Sequence, residues 1–188
     1  SGIIFKSDSI TEITSGKVYL VDYDTAIIQF TFIDSFNLNG TNGNYIFSNV
    51  ATNDYLIIAK PDETNYPNKI PTYYGDTAFW NGASILNASS DTSGINIAVR
   101  EFPAFSGNGY ISGIIQYGIG TGKTGNGNVT PLGDPVPGID ISLDEIPGGI
   151  IRHTQTDNNG VYAFTNLPIN KTYQLYVDIP GLPMDSTY

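Results

Sequence analysis

The chain has 188 residues, 40% hydrophobic and 14% charged, which is enough apolar side chain for a packed core. Eight Lys and Arg against 18 Asp and Glu leave a net charge of −10, which argues against nucleic acid and anionic membranes as partners. With no cysteine, one histidine (His153), one Met and one Trp, the chain lacks a thiol nucleophile, a redox motif and a Cys or multi-His zinc site.

The abundant residues are 21 Gly, 11 Pro, 13 Tyr and 9 Phe, with Ile, Thr, Ser and Asn in place of the usual helix formers, and they predict an all-β protein. No stretch reaches 18 consecutive apolar residues, and no basic region followed by an apolar run opens the chain, so neither a membrane span nor a signal peptide is expected within it. Absence of cysteine fits secretion without disulfides as well as it fits the cytoplasm.

In chain order, strands are predicted over 1–4, 16–20, 27–33, 44–50, 55–59 and 95–99, with a long aromatic connection over 66–80. The pattern then starts again. Ser1-Gly2-Ile3-Ile4 recurs as Ser112-Gly113-Ile114-Ile115, and Asn42-Gly43-Asn44-Tyr45-Ile46-Phe47 recurs as Asn159-Gly160-Val161-Tyr162-Ala163-Phe164. Tyr55-Leu56-Ile57-Ile58-Ala59 recurs as Tyr173-Gln174-Leu175-Tyr176-Val177, after one inserted residue. Further strands are predicted over 138–143 and 150–156.

Two tandem β-sandwich domains follow, 1–103 and 104–188, divided near Phe102 to Asn108 where Pro103 and Gly107 punctuate the sequence. Asn-Gly is read as a hairpin turn in each copy, and Tyr45 with Phe47, like Tyr162 with Phe164, should share one strand face. The second copy is predicted to lack the closing strand that Ile95-Asn96-Ile97-Ala98-Val99 gives the first. The chain therefore reads as a piece of a longer protein whose second domain has an open sheet edge.

Val136-Pro137-Gly138-Ile139-Asp140-Ile141-Ser142-Leu143, then residues 156–168 and 173–181, resemble the collagen-adhesin B-type and Sdr B-type modules, with their carboxypeptidase-regulatory-like and transthyretin-like relatives. Pro71-Thr72-Tyr73-Tyr74-Gly75-Asp76 with Trp80 resembles tandem modules of secreted, surface-attached proteins of the Bacteroidetes. The resemblance implies a prealbumin-like or Ig-like sandwich and leaves function open, because such modules serve as stalks, adhesin repeats and enzyme appendages.

Relatives with an internal Lys-to-Asn amide would place it at Lys6 and Asn96, but Ala59 stands where the promoting Glu is expected; in the second domain Tyr117 and Val177 replace the Lys and the Glu. The Sdr-type calcium loop would fall on Gly118 to Gly133, which holds no carboxylate, so only Asp134 lies nearby. No metal or cofactor is expected; calcium is left open without a ligand set to support it.

Tyr117 to Thr124 looks at first like a phosphate loop, but the first required Gly would fall on Tyr117, so a surface loop is expected. His153 lies in an alternating strand and is expected to face solvent. Paired carboxylates for glycoside hydrolysis would come from Asp22, Asp24, Asp62, Asp144 and Glu145, which read as surface residues beside turns.

Among Tyr66, Tyr73, Tyr74, Phe79 and Trp80, the group Tyr73, Tyr74 and Trp80 is the candidate ligand platform, because exposed rings stack on sugars. The competing reading is that these rings pin the connection to the sandwich. A pattern of Asp, then Ser or Thr, then a small, aliphatic or Thr residue, resembling the O-glycosylation signal of exported Bacteroidetes proteins, marks Ser9, Thr25, Thr77 and Ser186.

These readings predict a non-enzymatic extracellular or cell-surface spacer or adhesion module; rigid spacing would need its two domains to pack on each other through Phe102, Pro103 and Phe105. The alternative is a carbohydrate-binding accessory of a secreted hydrolase. Expected partners are neighbouring domains of the parent protein, surface glycans, or a protein strand at the open sheet edge, with neither nucleic acid nor membrane insertion.

Overall fold

A computed structural model describes residues 1–24, 29–102, 106–117, 133–178 and 186–187, with the backbone alone at 24, 29, 30, 186 and 187. The described chain is all-β, with one 3-10 turn at Trp80–Gly82. It divides into unit 1, with described residues 1–24 and 29–102, and unit 2, with described residues 106–117, 133–178 and 186–187.

Unit 1 contains β1 (Gly2–Phe5), β2 (Ser15–Asp24), β3 (Gln29–Asn39), β4 (Asn44–Tyr45), β5 (Asp54–Pro61), β6 (Thr72–Tyr73), β7 (Leu86–Asn87) and β8 (Ile97–Ala98). One sheet runs β3-β2-β5-β6, with β7 also on β5; the other runs β4-β1-β8. Alternate residues of β2 and β5, namely Val18, Leu20, Tyr55, Ile57 and Ala59, pack with Ile4, Tyr45, Ile95, Ile97 and Val99 in one core. Each buried branched side chain there contributes about 1.5–3 kcal/mol.

The opposite face of the larger sheet is covered as well. Val21, Leu56, Ile58 and Tyr73 form a second buried cluster, against which Tyr19, Tyr23, Trp80 and Ala83 pack. Burial on both faces is why residues 55–59 read as an unbroken apolar run rather than an alternating one.

Unit 2 contains β9 (Gly109–Ile114), β10 (Asp140–Ile146), β11 (Gly149–Gln155), β12 (Val161–Leu167), β13 (Thr172–Asp178) and β14 (Ser186–Thr187). Its sheets run β11-β10-β13-β14 and β12-β9. Ile141, Leu143, Ile151, Phe164 and Leu167 form its core.

The repeat in the sequence is a repeat of pairing register. Gly2 opposes Tyr45 and Ile3 opposes Asn44; Gly113 opposes Tyr162 and Ile114 opposes Val161. Leu20 pairs with Ile57 and Asp22 with Tyr55, as Leu143 pairs with Leu175 and Glu145 with Tyr173. A register shift follows Leu20 in β2 and Leu143 in β10. The rings of Tyr45 and Phe47 meet at 5.8 Å, and those of Tyr162 and Phe164 at 6.0 Å, both edge-on. At the head of the next strand, Tyr55 Oη donates to the Ala51 carbonyl at 2.9 Å and Tyr173 Oη to the Pro168 carbonyl at 2.6 Å.

Two sequence expectations are corrected. The strand predicted over 27–33 is β3, Gln29–Asn39, and it extends further toward the C-terminus. Asn-Gly is not a hairpin turn in either copy: it lies where the chain leaves the larger sheet and enters the smaller one, before β4 and before β12. Glycine is needed there for close approach. A Cβ on Gly43 would lie 2.5 Å from the Ile4 carbonyl oxygen and one on Gly160 2.4 Å from that of Ile115. The amides of Ile4 and Ile115 donate back to those glycine carbonyls at 2.9 and 2.8 Å.

The two sandwiches differ at one edge. In unit 1, β8 runs parallel to β1, with Ile4 opposite Ile97. Among the described residues, unit 2 has no counterpart of β8, and β9 is paired along its length only with β12.

Candidate functional site

The aromatic connection of unit 1 is built into the sandwich. Tyr73 pairs with Ile58 from β6 and is 2% exposed. Trp80 is half-buried on the cluster around Tyr73. Tyr74 follows Tyr73 directly, so it points the other way, and it packs with Tyr66 against the main core. Tyr66 Oη also accepts the Thr14 N–H at 3.1 Å. Tyr73, Tyr74 and Trp80 are thus divided between two clusters, and the buried Tyr73 ring offers no face to a ligand.

A cleft of about 730 Å³ lies elsewhere in unit 1, and none of those three rings lines it. Its apolar floor comes from Leu20, Tyr45, Phe47, Tyr55 and Ile57, and its rim from Ser89 to Ser93. Tyr45 Oη donates to the Ile95 carbonyl at 2.6 Å, and burial pushes its pKa up, keeping the phenol a neutral donor. At the rim, the Ser1 nitrogen donates to the Thr92 carbonyl at 2.9 Å. An apolar floor with a hydroxyl-rich rim suits a small amphipathic ligand. The sequence carried the rim as a Ser-rich stretch, but the floor is assembled from three strands far apart in the chain and leaves no local pattern.

In unit 2, the outward face of the larger sheet is polar where unit 1 is apolar: Asp144 opposite Gln174 occupies the place of Val21 opposite Leu56. His153 is not solvent-facing, as its strand position suggested; its side chain is 6% exposed. Nε2 of His153 lies 3.1 Å from Asp140 Oδ1, which also accepts from Gln155 Nε2 at 2.6 Å. Ser142, directly across from His153 in register, is 3% exposed.

Ser, His and Asp therefore share one sheet face, yet a nucleophile must be reachable by substrate. Here the hydroxyl is buried, and it does not line the cleft described above. Asp144 is also partly buried rather than a free surface carboxylate. Its Oδ1 finds no hydrogen-bond partner among the described residues, and burial raises its pKa.

The remaining candidates separate in the same way. Ser9 is exposed, in a turn that Asp8 organises by accepting from Thr11 Oγ1 and from the amides of Ile10 and Thr11. Those bonds lower the Asp8 pKa to about 2. Thr77 is half-buried, and its Oγ1 lies 3.4 Å from both the Phe79 N and O. Thr25 and the side chain of Ser186 lie outside the described residues.

Asn96, where an internal amide with Lys6 would fall, accepts the Ile3 N–H at 3.0 Å. Residues 118–132, with most of the phosphate-loop look-alike and of the calcium-loop position, lie outside the described residues, as do Pro103 and Phe105. Among the described residues, no group of three or more His, Asp or Glu side chains could hold a metal ion, and no helix is long and apolar enough to cross a membrane.

Residues 126–186, which include β10 to β13, match the carboxypeptidase regulatory-like domain family. The match covers less than half of the chain, and it likens unit 2 to a non-catalytic β-sandwich module. No curated protein and no solved structure matches the chain.

Proposed function

We propose that this chain is a non-catalytic extracellular segment, a spacer or adhesion element of a larger surface protein, made from one sandwich design used twice. The observation that carries the reading is the shared pairing register of the two units, down to the Gly-Tyr pair and the tyrosine bond at the head of β5 and of β13. Duplication of a whole module with its scaffold kept is how length and surface are built, whereas catalysis needs an accessible constellation. A cell-surface location agrees with the acidic charge and with exposed Ser9 as an acceptor for O-linked sugar.

A carbohydrate-binding accessory role is the second reading, favoured by the cleft over Tyr45, Phe47 and Tyr55. The test is binding of the 188-residue chain to a glycan and polysaccharide panel, with calcium and with chelator, beside Phe47→Ala and Trp80→Ala. The spacer reading expects no binding in any arm. Binding lost in Phe47→Ala would establish the cleft as a sugar site; binding lost only in Trp80→Ala would restore the aromatic connection.

A further inference from the structure

The cleft of unit 1 opens the main core at a position that unit 2 keeps closed. Phe47 and Val50 line the cleft and are half-buried. Their counterparts are Phe164 and Leu167, placed by the sequence recurrence and by the φ of +56 that Asn49 and Asn166 share. Those two are 3% and 1% exposed, in the core of unit 2. Leu86 and Ala88 extend the wall, and all four side chains both pack against the main core and line the cleft. Ile46, also in the lining, is left 56% exposed. Unit 1 thus leaves apolar surface open to water where unit 2 covers it, around a volume of about 730 Å³ that suits a small molecule.

The polar groups decide what this surface can hold. The phenols of Tyr45 and Tyr55 already donate, to the Ile95 carbonyl at 2.6 Å and to the Ala51 carbonyl at 2.9 Å. Both rings are buried, so neither offers a flat face for a sugar to stack on. A sugar entering the floor would leave hydroxyls without partners, a cost that a hydrocarbon does not meet. Hydrogen-bonding side chains stand instead at the rim, in Ser48, Asn49, Ser89 and Ser90. Among the described residues of the lining, Asp91 is the one charged side chain. With the net charge of −10, it disfavours an anionic head.

We propose that the cleft is a binding site for an uncharged amphiphile, its hydrocarbon chain laid against Phe47, Val50, Leu86 and Ala88 and its hydroxyl-bearing head at the Ser-rich rim. The inference goes beyond the spacer reading and does not depend on it. It differs from the carbohydrate reading of the same cleft in the part of the ligand that is held: the chain carries the affinity and the head sets the orientation.

The test is a titration of the ¹⁵N-labelled 188-residue chain with hexyl and octyl glucoside below their micelle concentrations, beside methyl glucoside and octanoate. The expected result is a saturable shift of the Ser48, Val50, Ala88 and Ser90 amides, with affinity rising about fourfold per methylene and so about fifteenfold from hexyl to octyl. Methyl glucoside, the head without the chain, should give no shift, and octanoate should bind more weakly than octyl glucoside. Ala88→Phe, which fills the cleft, should abolish the octyl glucoside shifts. Phe47→Ala, which removes a wall, should weaken them, so the site is tested even where one variant fails to fold. Equal affinity for hexyl and octyl glucoside, tighter binding of octanoate, or unchanged shifts in both variants would overturn the proposal. A methyl glucoside response equal to that of octyl glucoside would overturn it in favour of the carbohydrate reading; no binding by any of the four would overturn it and leave the spacer reading standing.

Discussion

Tyr55 and Tyr173 show how one side chain fixes a strand's entry. Each ring packs in or against its core while its hydroxyl reaches back to a carbonyl at the end of the preceding turn, four residues upstream in unit 1 and five in unit 2. The extra residue of the second copy falls inside that loop, so the bond survives the insertion. Both tyrosines are legible in the sequence as leaders of apolar strands; the bond is not, because it joins a side chain to a backbone group of no particular residue type.

Asp144 is the opposite case, a charge placed where unit 1 has Val21. Because its folded pKa is raised above the ordinary 3.8, the folded state loses stability as pH rises through that range and stays penalised at neutral pH. Asp144→Asn should therefore raise the melting temperature at neutral pH, with the gain vanishing below pH 3.8. A melting temperature unchanged or lowered at neutral pH would mean that the carboxylate has a favourable partner.

At the scale of elements, one glycine per copy ties the two sheets together. Gly160 adopts φ +71, with the Ile115 carbonyl occupying the space a Cβ would need. Gly160→Ala should destabilise unit 2 by more than about 1 kcal/mol, read as a lower denaturant midpoint with the near-native slope retained. An unchanged midpoint would show that the close approach is not needed.

The Asn-Gly pair was legible as a fixed point of the fold, but its role was not. A hairpin turn and a crossover between sheets both call for glycine, and only the identity of the next pairing partner separates them. The strands β2, β10 and β13 were legible through their alternation and turns, and β5 through its unbroken apolar run. The two-residue β6 and β7 were not, since so short a pairing has no period to read. The aromatic connection suggested a ligand platform because exposed and buried rings look alike in sequence; the register of β6 on β5 decides for burial at Tyr73. His153 was misread for a related reason, as alternation assigns a face without revealing whether that face is covered.

At the scale of the whole molecule, one pairing register is used twice, and among the described residues β8 of unit 1 has no counterpart in unit 2. Amide hydrogen exchange on the free chain tests this account most directly. Ile4 and Ile115, both donating to glycine carbonyls, should exchange slowly, as should Ile3, which donates to Asn96; Ile114 should exchange rapidly. An Ile115 amide as labile as a loop residue, or an Ile114 amide as protected as Ile3, would contradict it.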